Sequence, residues 1–169
     1  MDDCIDLAVG NQHKKDIVEI LEAYLEEHTA DASAVTDIGA VREYEEMRME
    51  QSTEHTRAYI KIQDGCNQFC SYCIIPYLRG RSRSRALESI VKEAEEMAKK
   101  THEIVVTGIN VSDYGSDIGL TLFDLVHALS AVPVRKRFGS LEGTVVNERL
   151  LKEMKNGDWC DSVHLSMQS

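Results

Sequence analysis

Arg57 to Arg85 reads RAYIKIQDGCNQFCSYCIIPYLRGRSRSR. Its first seven residues alternate apolar and polar side chains and are rich in β-formers, which predicts a strand over 57–63. That strand runs directly into Asp64-Gly65-Cys66. Cys66, Cys70 and Cys73 then follow at C-x3-C-x2-C spacing, and Arg79, Arg81, Arg83 and Arg85 come next.

Downstream, Leu87, Ile90, Val91, Ala94, Met97 and Ala98 form one apolar stripe, predicting a helix over 86–100. EIVVT (103–107) is a buried strand closed by Gly108, and 108–120 is a glycine-rich loop. Leu122, Leu125, Val126 and Leu129 mark a helix halted near Pro133. RFGSL (137–141) is a third strand. Asn147 is the N-cap of a helix ending at Asn156-Gly157, and Ser162 to Met167 is a fourth strand. This alternation implies an α/β fold of parallel strands joined by right-handed crossovers. Such sheets gather their chemistry at the carboxyl ends of the strands. The cysteine loop lies on that rim, with Gly108 and Asn110, then Ser140 and Glu142, then Gln168 and Ser169.

Upstream, CIDLAVG (4–10) predicts a short buried strand ending at a Gly10-Asn11 turn. Ile17, Ile20, Leu21, Tyr24 and Leu25 share one helical face within 12–27. Residues 29–56 are polar and acidic, a linker with at most a short extended piece at 34–38. One strand and one helix bury too little surface to close a core. Residues 1–28 are therefore expected to be the tail of a preceding domain, 29–56 a linker, and 57–169 an α/β core of four βα units.

The net charge of −10 argues against a uniformly basic nucleic-acid binder. The charge is uneven: residues 57–85 hold 6 basic and 1 acidic side chains, the single positive island in an acidic chain. No apolar run approaches the roughly 18 residues of a membrane span, and no signal peptide opens the chain, so a cytoplasmic setting is expected. Of the 5 cysteines, three crowd into one loop, which in a reducing compartment points to metal or cluster ligands. Cys4 reads as a small buried apolar residue.

A closed zinc site takes four ligands, usually as two separated pairs. Three thiols can instead hold three irons of a [4Fe–4S] cube and leave the fourth iron open to a substrate or cofactor. The competing reading is a zinc knuckle completed by Cys160 or a histidine. Cys160 and His102, however, are expected at the opposite rim.

Cys66-x3-Cys70-x2-Cys73, with Tyr72 just before the third cysteine, resembles the radical S-adenosylmethionine signature. The longer string IQDGCNQFCSYCIIPYLRGRSRSR resembles the methylthiotransferase branch of that family. DLAVGNQHK (6–14), TGINVSDYG (107–115), GSLE (139–142) and HLSMQS (164–169) are similar to further segments of the same enzymes. The variants present look most like the bacterial type acting on threonylcarbamoyladenosine in tRNA.

The resemblance implies a partial (β/α) radical-SAM barrel, preceded by the tail of an amino-terminal α/β methylthiotransferase domain. It implies a transferase, incomplete in this chain, that methylthiolates C2 of threonylcarbamoyladenosine next to the anticodon, at tRNA position 37. Isopentenyladenosine in tRNA is the alternative substrate, and a zinc-bound RNA-binding module without catalysis is the alternative class. A [4Fe–4S] cluster on Cys66, Cys70 and Cys73 would bind S-adenosyl-L-methionine through its open iron. One electron from it would release the radical that takes hydrogen from C2. The full-length family also has an auxiliary [4Fe–4S] cluster, whose three amino-terminal cysteines have no counterpart here. By the same resemblance Tyr72 lies against the cofactor's adenine. Gly108, Asn110 and Arg85 meet its methionine portion, Glu142 a polar part of it, and Gln168 its ribose. Arg79, Arg81 and Arg83 face tRNA phosphates. The implied partners are tRNA and an electron donor such as flavodoxin or ferredoxin, with no membrane.

Overall fold

Strand β1 (Arg57–Asp64) forms as its alternation predicts: Ala58, Ile60 and Ile62 are buried while Arg57 and Tyr59 are exposed. These details come from a computed structural model, which describes residues 5–27, 35–47 and 56–167. Strand β3 (Glu103–Gly108) pairs parallel to β1, from Arg57 opposite Glu103 to Gln63 opposite Gly108. Strand β4 (Arg135–Phe138) pairs parallel to β3 in turn. Between them run helices α3 (Leu87–Ala98) and α4 (Leu122–Ser130), and α5 (Glu148–Asn156) follows β4. Ile90, Ala94, Leu125, Leu129, Leu150 and Met154 from these helices share one core with Ile60, Ile62, Ile104 and Val106. Each of the isoleucine, leucine, valine and methionine side chains taken from water contributes about 1.5–3 kcal/mol.

The helix boundaries follow their caps. Thr121 and Asp124 form a capping box at the start of α4, and the Asn147 carboxamide accepts from Leu150 N at 3.0 Å at the start of α5.

The third and fourth predicted strands are each interrupted. The segment predicted over 137–141 splits into β4 and β5 (Leu141–Glu142) at Gly139-Ser140. The fourth, predicted over 162–167, shortens to β6 (Leu165–Ser166), which pairs parallel with β5, and an isolated parallel bridge from Trp159 to Lys136 precedes it. The result is a partial barrel: a four-stranded sheet ordered β2 (Arg83–Ser84), β1, β3, β4, followed by a separate two-stranded β5-β6 ladder.

Two short elements around the cysteine loop escaped sequence reading. Helix α2 (Ile75–Arg79) starts on Pro76 and ends at Gly80. Strand β2 (Arg83–Ser84) returns antiparallel to the end of β1, with Gln63 opposite Ser84 and Asp64 opposite Arg83. The cysteine loop is thereby closed at its neck, where Cys66 N donates to Gly80 O at 3.1 Å. Gly65 makes this neck possible. Its φ is 72°, and a Cβ there would sit 2.0 Å from Arg81 O. Gly65→Ala is expected to destabilise the chain by about 3 kcal/mol in urea titration. Gly119→Ala, at φ 73° with nothing within 4 Å, is expected to cost only about 1 kcal/mol.

The amino-terminal part differs from expectation. Residues 5–10 form no strand, although the turn after Gly10 is present, with His13 N donating to Gly10 O at 3.2 Å. A short apolar run becomes a strand only where a ladder partner is available. Helix α1 (Ile17–Glu27) is shorter than predicted and buries none of its residues. In place of the extended piece at 34–38 the chain turns at 37–40, where Ala40 N donates to Asp37 O at 3.0 Å. The described linker residues are tied to the core: Tyr44 OH donates to Lys61 O at 3.1 Å and Glu46 reaches Arg85. Cys4 and Gln168 lie outside the described residues. Among the described residues no helix is long and apolar enough to cross a membrane.

Candidate functional site

The carboxyl ends of β1, β3 and β5 converge on the cysteine loop. Cys66, Cys70 and Cys73 are free and half-buried. Cys73 N donates to Cys70 O at 2.9 Å, closing one turn, and Gln68 N lies 3.5 Å from Cys66 Sγ. The loop carries the three thiols to one rim without fixing them on a common point. Among the described residues no three His, Cys, Asp or Glu side chains form a finished metal-binding group. Within the loop Phe69 holds φ 48°, an uncommon conformation for a bulky residue. Its ring is covered by the Arg81 guanidinium at 4.6 Å and meets Tyr77 edge-on at 5.6 Å.

Facing the loop, Asn110 is 9% exposed. Its Nδ2 donates to Glu142 Oε1 at 3.1 Å and lies 3.9 Å from Cys66 Sγ. Glu142 Oε2 accepts from Gln68 Nε2 at 3.3 Å, and Glu142 N donates to Ser112 Oγ at 2.8 Å. Gly108 packs on Gln63, where a Cβ would meet Gln63 O at 3.1 Å. The Tyr72 ring is 75% exposed. Desolvation, then Cys70, Cys73 and Glu142, push its phenol above the ordinary tyrosine value. Tyr72, Asn110 and Glu142 therefore share the rim with the cysteines.

Asp64, immediately before the loop, is a charge hub missed in the sequence. Its carboxylate accepts from Lys61 Nζ at 2.6 Å and Gly65 N at 2.9 Å, and lies 3.8 Å from Arg79 and 4.0 Å from both Lys14 and Arg83. Burial pushes its pKa up, but Lys61, Gly65 and Arg79 more than offset this, leaving it below the usual carboxylate range.

The profile of the radical SAM superfamily matches residues 60–169. The chain belongs to the radical SAM superfamily. Over 98% of its length it is 36% identical to the threonylcarbamoyladenosine tRNA methylthiotransferase of Aquifex aeolicus and 32% identical to that of Bacillus subtilis. It is 33% identical, over the same share, to the tRNA-2-methylthio-N(6)-dimethylallyladenosine synthase of Staphylococcus epidermidis. The chain spans 41%, 38% and 33% of these three relatives. Among solved structures, the radical S-adenosylmethionine methyltransferase TsrM of Kitasatospora setae superposes on 60% of the chain. The TM-score is 0.50 at 18% identity, and the match covers 21% of that protein, a likeness of fold.

In this radical SAM chain the four loop arginines have different fates. Arg81 is exposed over Phe69, and Arg79 is partly exposed, donating to Asn11 Oδ1 at 3.3 Å. Arg83 and Arg85 are each 3% exposed. Arg83 donates to Arg79 O and Arg81 O, both at 2.9 Å. Arg85 pairs with Glu93, with Glu46 at 3.4 Å and with Ser89 Oγ at 3.0 Å. Protein partners take up the terminal nitrogens of both guanidiniums, while Arg83 Nε is buried without one. Arg83 and Arg85 are thus buried against protein partners instead of facing a ligand as expected, whereas Arg79 and Arg81 keep exposed surface.

Cys160 does not complete a zinc site with the loop. Cys160 N donates to Lys136 O at 2.7 Å, beside the start of β4, and Cys160 shares a cleft of about 570 Å³ with His102, Arg135 and Trp159. The length of β1 separates that end from the cysteine loop, about 23 Å of extended chain. Hydrogen bonding to Ser162, then the Arg135 guanidinium 3.1 Å away, brings the Cys160 thiol down to about 7. A lowered thiol pKa extends the thiolate form to lower pH. Iodoacetamide labelling of Cys160, followed by peptide mass spectrometry, is thus expected to reach half its maximal rate near pH 7. In Arg135→Met the midpoint is expected to move upward.

Proposed function

We propose that the chain is the cofactor-binding part of a radical-SAM tRNA methylthiotransferase acting on threonylcarbamoyladenosine beside the anticodon. The reading rests chiefly on three cysteines free of disulfides at the carboxyl end of β1, within a superfamily match, in a chain whose relatives carry methylthiotransferase names. Three soft sulfur donors on one short loop fit a [4Fe–4S] cluster held by Cys66, Cys70 and Cys73. When bound, that cluster would supply the electron that cleaves S-adenosylmethionine.

The surrounding residues suit the rest of the cofactor. The Glu142 carboxylate can accept from an ammonium group, with Asn110 holding it in place through the 3.1 Å contact. The exposed Tyr72 ring offers a stacking face for adenine. Arg79 and Arg81 offer forked donors for RNA phosphates or for the methionine carboxylate. Beyond the loop the chain has only Cys4 and Cys160, too few for a second three-cysteine set. We therefore assign the auxiliary sulfur-delivering cluster to residues outside this chain. A flavodoxin or ferredoxin is the proposed electron donor.

Anaerobic reconstitution with iron, sulfide and dithionite tests the reading. S-adenosylmethionine is expected to yield 5′-deoxyadenosine. An anticodon stem-loop RNA carrying threonylcarbamoyladenosine should bind more tightly than one carrying isopentenyladenosine. A colourless protein holding stoichiometric zinc would sink the cluster assignment, and equal binding of the two RNAs would sink the substrate assignment.

A further inference from the structure

Gln63 is 0% exposed at the last turn of β1, and both ends of its carboxamide are engaged. Nε2 faces Asp64 O at 2.9 Å, Gly65 O at 2.7 Å and Ser82 Oγ at 2.8 Å. Oε1 accepts from Asn110 N at 2.8 Å. One neutral side chain thus holds the residue before Cys66, the far side of the loop neck and the turn that presents Asn110. Asn110 in turn carries its own carboxamide to Glu142 and toward Cys66 Sγ. The side chain is also packed against the exit of β3, since a Cβ on Gly108 would lie 3.2 Å from Gln63 Oε1.

We propose that Gln63 is a positioning residue: it fixes the cysteine loop and the Asn110–Glu142 pair in one mutual arrangement, so that a ligand bridging them meets a preset site. The inference rests on the reading of the loop as a cluster and S-adenosylmethionine site. Glutamine suits the position because the buried partners comprise two carbonyls and a hydroxyl on one side and an N–H on the other. A carboxylate would turn an acceptor toward the carbonyls, and an aliphatic chain would leave all four unpaired. Neither Asn110 nor Cys66 is bonded directly by the Gln63 side-chain amide nitrogen; the control is exerted through the backbone at Gly65 and Asn110.

The test uses Gln63→Met, which keeps the length and removes the hydrogen bonds, and Gln63→Glu, which keeps only the acceptor for Asn110 N. After anaerobic reconstitution, binding of S-adenosylmethionine is followed by the change it causes in the EPR signal of the reduced protein. Affinity is expected to fall about tenfold or more in both variants, the loss usual when a residue orienting ligand groups is removed. Wild-type affinity in both variants overturns the proposal. Should Gln63→Met give no thermal transition, Gln63→Glu and Ser82→Ala decide by the same criterion. The cluster-free protein gives an independent readout. Hydrogen exchange at the Asn110 amide is expected to accelerate at least tenfold in Gln63→Met, with the Ile104 amide in β3 unchanged, and wild-type exchange at Asn110 overturns the proposal. A wild-type chain that takes up no iron sinks the cluster reading alone, because the exchange measurement still decides the role of Gln63.

Discussion

Cys70→Ala is expected to abolish iron uptake. After anaerobic reconstitution the wild-type chain should show a broad absorbance shoulder in the visible blue and bind close to four irons per [4Fe–4S] cluster. The variant should stay colourless. A cube held by three thiolates has no spare protein ligand, so losing one leaves two irons without a protein donor. The fold should persist, because Cys70 is only half-buried and lies outside the hydrophobic core. A stability change within about 0.5 kcal/mol is expected from such a site. Cys160→Ala supplies the contrast: it removes a thiol at the other end of the sheet and should retain the full iron content. Loss of iron in both variants, or in neither, would contradict the ligand set.

Arg85→Met is expected to destabilise the chain by about 3–5 kcal/mol, because it leaves the Glu93 carboxylate buried without its partner. Arg85 is 3% exposed and Glu93 8%, so water cannot replace the lost ion pair. Arg85 also donates to Ser89 Oγ at 3.0 Å, and its carbonyl accepts from Tyr114 OH at 3.0 Å. Urea denaturation of the single variant and of Arg85→Met with Glu93→Met measures the effect. The double variant should recover most of the loss, since removing both charges removes the unpaired one. If Arg85→Met kept its unfolding midpoint but lost affinity for S-adenosylmethionine, the residue would be a ligand contact rather than a strut between α3 and the linker.

The contrast between these residues bears on how much the sequence could tell. Cys66, Cys70 and Cys73 announce themselves through spacing, and β1, β3, α3, α4 and α5 through sustained apolar periodicity with recognisable caps. Helix α2 spans only Ile75–Arg79, too short for a period to register, although Pro76 and Gly80 marked its ends. Residues 5–10 had a strand's pattern but no neighbouring strand among the described residues, and pattern alone cannot supply one. Arginines 79, 81, 83 and 85 all read as ligand-facing, Arg85 toward the cofactor and the other three toward tRNA phosphates. The partners of Arg85 lie 8 and 39 positions away, at Glu93 and Glu46, and nothing local links them. Gln63 was hidden for the opposite reason. In an alternating strand a glutamine reads as the solvent-facing residue, whereas its burial here follows from the close return of the chain at Ser82 and the approach of Gly108.

The pinched neck of the cysteine loop also sets an order of events. Asp64 opposite Arg83, and Cys66 N on Gly80 O at 3.1 Å, join the two ends of the loop through protein hydrogen bonds alone. The entropy of closing the loop is thus met by the polypeptide, not by the metal. Small zinc modules fold only as they take up their ion. This scaffold can be complete first and receive iron and sulfide afterwards. Oxidative loss of the cluster would then leave a folded chain ready for reloading.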